Sequence, residues 1–556
     1  MDMENTTTKI YTDKVLAISS LAFVFLMVAG LAIYPAASIE FAAKLMEWVT
    51  QVFTTPVLLF TLLSIIFTLT IAFSKYGKIK LGEGKPEYST PSWIFMFILS
   101  GFGSSCLYWG FLDWAYYYQT PGLSLAPSSA EALKFSVAYS FFHNGVSAWS
   151  IYALAAISLC YSYHVRKNKG LSLASIIEAI TGFKATGPVG RFVDVLFLLC
   201  MFGALTISLV LTAVTFTKIL SILTGIPDSF TTKVVVILSV AVLFALSSYV
   251  GMDKGMQRLS HIVCIGVVAL AAYVLFLGPT TFIANNSIMS LGLMGSNFLE
   301  MSLFTDPMGD GKFTREWTVF YWLWWISYAP GVALFVTRVS KGRTIKEVIL
   351  AMILGGSFGI WCVYGAFESY SVYSFIHGLV DVPQILSQQG GEVAIGQLLS
   401  QLPAGQWVMW AFLIIMVVFL AAHMDAVGYA VTATCTRGLE EGKDPSPNAR
   451  LFWCIMLTLV PIAMIFSKAP LETMKTATIV TALPFIVIIL IQTYGFVKWL
   501  IEDYSKIPAH IIEQQNTEVA SDSSLVHVDI DPPLNTPQVS RLNLVDKNGI
   551  YKRDSI

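Results

Sequence analysis

Charge is what this sequence has least of. Of its 556 residues, only 12% are Asp, Glu, Lys or Arg, against about 25% in an ordinary soluble protein. That shortage excludes a soluble enzyme, a nucleic-acid binder and a disordered scaffold. A surplus of either sign is lacking too. The 34 basic and 35 acidic residues give a formal net charge of −1, so no overall field draws a charged partner. Cysteine is sparse. Cys106, Cys160, Cys200, Cys264, Cys362, Cys435 and Cys454 lie in apolar segments or at their ends. An odd, dispersed set reads as small core residues, not as a disulfide or metal framework. The seven histidines form no close metal-binding cluster, and no phosphate loop is visible. No metal or cofactor is therefore expected. A membrane enzyme is disfavoured on these grounds, and a channel by the lack of a repeated pore loop. A transporter-like sensor remains open.

What is abundant is apolar. Hydrophobic residues make up 55% of the chain, and the mean hydropathy is +0.68. Lipid is the expected solvent. A spanning helix needs roughly 20 mostly apolar residues. Twelve such stretches are centred near Phe23, Leu62, Ser105, Leu154, Ala204, Ala241, Leu270, Ile326, Gly356, Val417, Leu457 and Ile488. The first is too long, and lacks the short basic start, for a cleaved signal. The fold class expected is an all-α integral membrane protein with twelve transmembrane helices. Placing both termini in the cytoplasm puts 26 of the 34 Lys and Arg on that side, as the positive-inside rule requires. A cytoplasmic N-terminus (1–13), a transmembrane domain (14–504) and a cytoplasmic, disordered tail (505–556) in a cell inner or plasma membrane follow. The tail is net acidic, unlike a lipid-reading polybasic switch. Residues 280–304 are only mildly apolar and are expected to lie on the outer surface rather than to span. The basic loop from Arg338 to Arg343 is read as mostly topological charge.

Two spans carry small or helix-breaking residues at mid-depth. The third has Gly101, Gly103, Ser104 and Gly110; the eighth has Ala329-Pro330-Gly331. Unwound backbone inside a membrane is tolerated where it lines a cavity or is covered by protein. Interrupted helices in corresponding places point to a transporter's site. Spans three to seven and eight to twelve form two sets of five, with span three matching span eight. The eighth span also holds four tryptophans within residues 317–325. Trp325 and Tyr328, at spacing i, i+3, share a face. Trp149 and Tyr152 repeat that spacing in span four. Aromatic faces attract cations, and a cage of them suits quaternary ammonium. Backbone N–H groups around Gly101 to Ser105 are expected to meet a substrate carboxylate. His423 and Asp425, deep in span ten, are the candidate ion-coupling pair, since an intramembrane ionisable residue is a functional hypothesis by default. Asp113 is expected to cap or orient span three.

At this point the sequence resembles the betaine/choline/carnitine transporter family. The residues that carry the resemblance are WTVFYWLWWISYAP at 317–330 and TRVSKGRTIKE at 337–347. PEYSTPSWIFM at 86–96 and the His143-x-Gly145-x-x-x-Trp149-x-x-Tyr152 pattern support it. FTDP at 304–307 and WTVFYW at 317–322 lean toward the carnitine/butyrobetaine branch. The resemblance implies a leucine-transporter-like fold: an inverted five-helix repeat after two extra N-terminal helices, often as a homotrimer. By position it implies that Trp325, Trp149 and Tyr152 form a box over the substrate's ammonium. Trp324, Trp317 and Tyr328 become neighbouring binding or pathway aromatics, and Tyr116 closes the central site.

Three departures stand out. Asn144 replaces a family tryptophan, so one wall of the box becomes an amide. Val332 and Val263 stand where the sodium-independent branch has Met and Arg. Ala422 and His423 stand where sodium-coupled members carry hydroxyls. The function expected is a secondary transporter of small quaternary-ammonium compounds such as carnitine, butyrobetaine, betaine or choline. Substrate/product exchange is preferred, and proton- or sodium-coupled symport is the alternative.

Overall fold

A computed structural model describes residues 11–101, 105–168, 172–250, 252–437 and 445–513. The chain opens with a two-residue strand, β1 (Tyr11–Thr12), and two helices, α1 (Lys14–Ile33) and α2 (Pro35–Phe73). Then come α3 (Thr90–Gly101), α4 (Cys106–Gln119), α5 (Ala130–His143), α6 (Val146–His164), α7 (Leu173–Thr181) and α8 (Pro188–Thr224). The middle holds α9 (Phe230–Val250), α10 (Met252–Leu277), α11 (Thr280–Ser296), α12 (Phe298–Leu303), α13 (Val319–Val339), α14 (Ile345–Leu350) and α15 (Ser357–Ile376). Last are α16 (Val382–Gln388), α17 (Gly391–Ser400), α18 (Gly405–Cys435), the strand β2 (Thr436–Arg437), α19 (Pro447–Phe466) and α20 (Leu471–Tyr504).

Local chemistry sets many of these ends. Pro at N1/N2 starts α2, α8 and α19, where the missing N–H costs nothing. Glycines at positive φ, Gly182 and Gly225, end α7 and α8. A Thr344/Glu347 capping box opens α14.

Among the described residues, nine helical segments are long and apolar enough to cross a membrane, or ten if one bent pair counts as a single span. All twelve expected centres fall on a helix or its cap. The third expected span is divided between α3 and α4, and the described apolar run of α9 is the shorter Phe230–Leu243. A 112° bend separates α11 from α10, and α11 packs against α5 and α15.

One expectation is corrected in span eight. Helix α13 runs unbroken through Pro330. Beside the proline, Cys200 Sγ donates to Ser327 O at 3.5 Å. Neighbouring side chains absorb a transmembrane proline in this way. The irregularity sits elsewhere, as wider i→i+5 turns at Thr314–Thr318 before α13 and Ala351–Gly356 before α15. Such turns concentrate at functional places.

Two loops are pinned by charge. Arg343 is not merely topological: it is buried. It donates to Thr90 Oγ1 at 2.9 Å and Tyr88 O at 2.8 Å, and stacks over Trp93 at 4.5 Å. At the N-terminal edge, β1 pairs antiparallel with β2. Asp13 caps α1 through the Leu16 N–H and faces Arg191 (3.1 Å) and Arg437 (3.4 Å). Arg437 also meets Asp194 at 2.8 Å. No disulfide joins cysteines among the described residues, and Cys362 departs from the expected core role by being exposed.

Candidate functional site

The Trp-rich helix α13 packs along α6 and touches α8 and α20. Its successive side chains diverge by about 100° on a 3.6-residue turn, so Trp324 and Trp325 look into different neighbourhoods. Trp325 meets α6. Its ring lies 5.0 Å from Tyr152 and 5.9 Å from Trp149, and those two rings are 5.7 Å apart. All three are buried. The sequence-derived box of Trp325, Trp149 and Tyr152 is thus gathered in one place. Gly356, in the wide turn before α15, makes room for it, because a Cβ there would overlap the Trp149 indole.

Trp324 belongs to a second array. Starting in the wide turn before α13, Trp317 faces Tyr116 (4.9 Å), Tyr117 (5.3 Å) and Trp109 (6.1 Å). Trp109 leads to Trp324 (6.3 Å), Trp324 to Tyr328 (6.4 Å), and Tyr328 to His423 (5.3 Å). Tyr328 makes its ring contacts with Trp324 and His423, not with Trp325. Its hydroxyl donates to Ala204 O at 2.7 Å. Tyr116 exchanges a hydrogen bond with Tyr108 at 2.9 Å. The indole N–H groups of Trp109, Trp149, Trp317, Trp324 and Trp325 are buried with no partner among the described residues. Buried donors normally find partners, so five in one region are five unspent contacts.

Behind this wall lies a polar cluster. His143 is stacked on Tyr321 at 4.9 Å, and its nitrogens meet Tyr117 Oη at 3.0 Å and Thr318 Oγ1 at 3.1 Å. Both nitrogens are thereby used to hold α4, α5 and the turn before α13 together. Tyr321 Oη donates to Asp113 Oδ2 at 2.6 Å, and Ser140 Oγ to Glu368 Oε1 at 2.6 Å. Both acids are completely buried. Asp113 Oδ1 and Glu368 Oε2 have no partner among the described residues. Asn144 belongs to this cluster. It donates to Ser140 O at 3.0 Å and faces Asp113; no contact with the Trp149 box is among its recorded bonds.

His423 and Asp425 are not a pair in space. Two residues apart on α18, they take different directions. His423 is half-buried against Tyr328, with Nδ1 unpartnered among the described residues. Asp425 is buried and lies near Cys454 of α19, as does Arg450. Helix α3 ends at Gly101 and α4 starts at Cys106. Gly103 and Ser104 lie outside the described residues, as does the side-chain environment of Gly101. Among the described residues, no group of three or more His, Cys, Asp or Glu is placed to hold a metal ion.

Sequence reasoning passed over Trp109, Tyr321, Glu368 and Lys475. The last two are ionisable groups within apolar helices, a signal in itself. Lys475 is one of the eight Lys and Arg that the positive-inside count places outside.

The sequence matches the betaine/carnitine/choline family transporter pattern over residues 14–505. The chain belongs to the BCCT family. It is 81% identical over 515 residues to a protein named carnitine transporter from Acinetobacter baumannii, covering 93% of this chain and 94% of that one. It is 58% identical over 452 residues to the uncharacterized transporter YeaV of Escherichia coli K12, covering 81% of this chain and 94% of that one. Among solved structures, a Na+-coupled sialic acid symporter in a substrate-bound outward-open state aligns with 14% identity and a TM-score of 0.40. It covers 84% of this chain and 96% of that one. As a BCCT member the chain is a multi-span membrane transporter.

Proposed function

We propose that this BCCT protein carries a small zwitterionic quaternary-ammonium compound, carnitine foremost, across the cytoplasmic membrane. The observation that carries the reading is the buried trio Trp325, Trp149 and Tyr152, whose rings stand 5.0 to 5.9 Å apart. Three aromatic faces attract a trimethylammonium group that offers no N–H to a hydrogen-bond acceptor. The unpartnered indole N–H groups are suited to a substrate carboxylate or hydroxyl. The name of the Acinetobacter relative supports carnitine among such compounds. Trp324, Trp317, Tyr328 and Tyr116 are assigned to the pathway, and Gly101, Gly103 and Ser104 of span three, on sequence alone, to the carboxylate end. Asn144 acts from behind the wall, through Asp113.

The same reading includes twelve spans, an inverted repeat over spans three to seven and eight to twelve, and cytoplasmic termini. Trimeric assembly is part of it. Substrate/product exchange is the favoured mode, since neither a sodium shell nor its substitutes is visible at Val332, Val263, Ala422 and His423. Proton-linked transport is a second reading, favoured by His423, whose Nδ1 is unpartnered beside Tyr328.

The test is uptake of labelled L-carnitine into proteoliposomes preloaded with carnitine, butyrobetaine, betaine or nothing, with and without sodium and pH gradients. Uptake that requires internal substrate and no gradient is expected. Uptake into empty vesicles driven by a gradient replaces exchange with symport, and an unchanged pH profile in His423→Ala removes the histidine from coupling. Trp325→Ala is expected to lower carnitine uptake at least about tenfold, the loss of one desolvated cation–π contact of roughly 2 kcal/mol. Full activity in that variant refutes the box.

A further inference from the structure

The first ring of the pathway array already holds a cation. Lys475, in the second turn of α20, is completely buried. Its ammonium stands 3.5 Å from the centroid of the Trp317 ring and 5.0 Å from that of Phe320. An ammonium has three donors. Here one reaches Glu316 O at 3.3 Å and another Glu472 Oε1 at 3.4 Å. Glu472 is half-exposed, so the partners that enclose the charge are chiefly the two aromatic faces. The acids within electrostatic reach are Glu316, Glu472 and, deeper, Asp113. Trp317 in turn borders Tyr116 and Trp109, through which the row continues to Trp324 and Tyr328.

A lysine ammonium and a quaternary ammonium compete for the same ring face. Two cations cannot share it without repulsion, which is how like charge rejects a wrong partner. A zwitterion differs from a simple cation in that it brings a carboxylate, which Lys475 can bind as its own contact with Trp317 is taken over. We infer that Lys475 is a tethered cation that sets specificity, admitting zwitterions to the aromatic pathway and turning away compounds that are only cationic. This rests on the quaternary-ammonium reading above.

The experiment compares uptake of L-carnitine and of choline by wild type, Lys475→Met and Lys475→Arg in proteoliposomes. Lys475→Met is expected to raise choline uptake relative to carnitine at least about tenfold, the scale of removing a like-charge clash, and to raise the KM for carnitine. Lys475→Arg, which keeps the charge over the ring, is expected to keep the wild-type ratio. If Lys475→Met gives no monodisperse protein in detergent, Lys475→Gln removes the charge while keeping a donor, and the same ratio decides. A wild-type ratio in the uncharged variant overturns the inference while carnitine transport itself stands. Wild-type protein that carries neither compound overturns the transport reading, and this inference with it.

Discussion

Side chains separate the site into two chemistries, cations over rings and acids behind them. The acids make a sharp prediction. Ser140 Oγ is the hydrogen-bond donor recorded for Glu368, at 2.6 Å. Removing it leaves a buried carboxyl oxygen bare, at a cost of about 1–3 kcal/mol. Ser140→Ala is therefore expected to lower the thermal unfolding midpoint in detergent by several degrees. Glu368→Gln keeps the shape and an acceptor oxygen, and is expected to stay within a degree or two of wild type. Equal midpoints for Ser140→Ala and wild type remove the role given to that bond. At this scale the sequence was half legible. The identities of Trp325, Trp149 and Tyr152 could be named from spacing and family resemblance. Asn144 was assigned to the box on the same grounds but turns toward Asp113. Glu368 and Ser140 lie 228 residues apart, and no helical period reports which residue of another helix stands opposite.

Individual helices were read more easily than single side chains, except where the backbone departs from the regular α pattern. Apolar runs marked the spanning segments because lipid leaves helices as the way to satisfy the backbone. The proline in span eight pointed to a break that α13 does not make. The two wide turns, at Thr314–Thr318 and Ala351–Gly356, leave no signature in composition. Yet the second one matters for the box. Gly356 ends that turn with its backbone against the Trp149 indole, and a Cβ there overlaps the ring. Overpacking a filled site costs about 1–3 kcal/mol. Gly356→Ala is expected to displace Trp149 and reduce carnitine uptake about tenfold or more, with Gly359→Ala, which presses on the branched Ile98 side chain and not on Trp149, as the control. Uptake unchanged in Gly356→Ala and lost in Gly359→Ala reverses this assignment.

The molecule as a whole is stitched at the N-terminal edge by a clasp outside the spans. Burial alone would raise the Asp13 carboxyl, but the Leu16 N–H, Arg191 and Arg437 outweigh it and hold the group below its ordinary 3.8. A depressed acid stabilises the fold fully above its unfolded value, and that contribution is lost as pH falls through the lower folded value. Asp13→Ala, which also removes the cap of α1, is expected to cost about 1–2 kcal/mol at neutral pH. The gap in unfolding midpoint between it and wild type stays level down to about pH 4 and narrows below, where the wild-type carboxyl takes up its proton. A gap that widens on acidification contradicts the clasp. Hydropathy and Lys/Arg placement had put residues 1–13 aside as a terminus, because a two-residue strand and a long-range ion pair are too short to leave a pattern. The clasp joins Asp13 to Arg191 at the start of α8 and to Arg437 just past α18, and Arg437 also meets Asp194 of α8. Mechanically this is a rivet. Whatever rocking carries a substrate from one face of the membrane to the other, the ends of α8 and α18 that meet at Asp13 must travel as one body or release the N-terminus first.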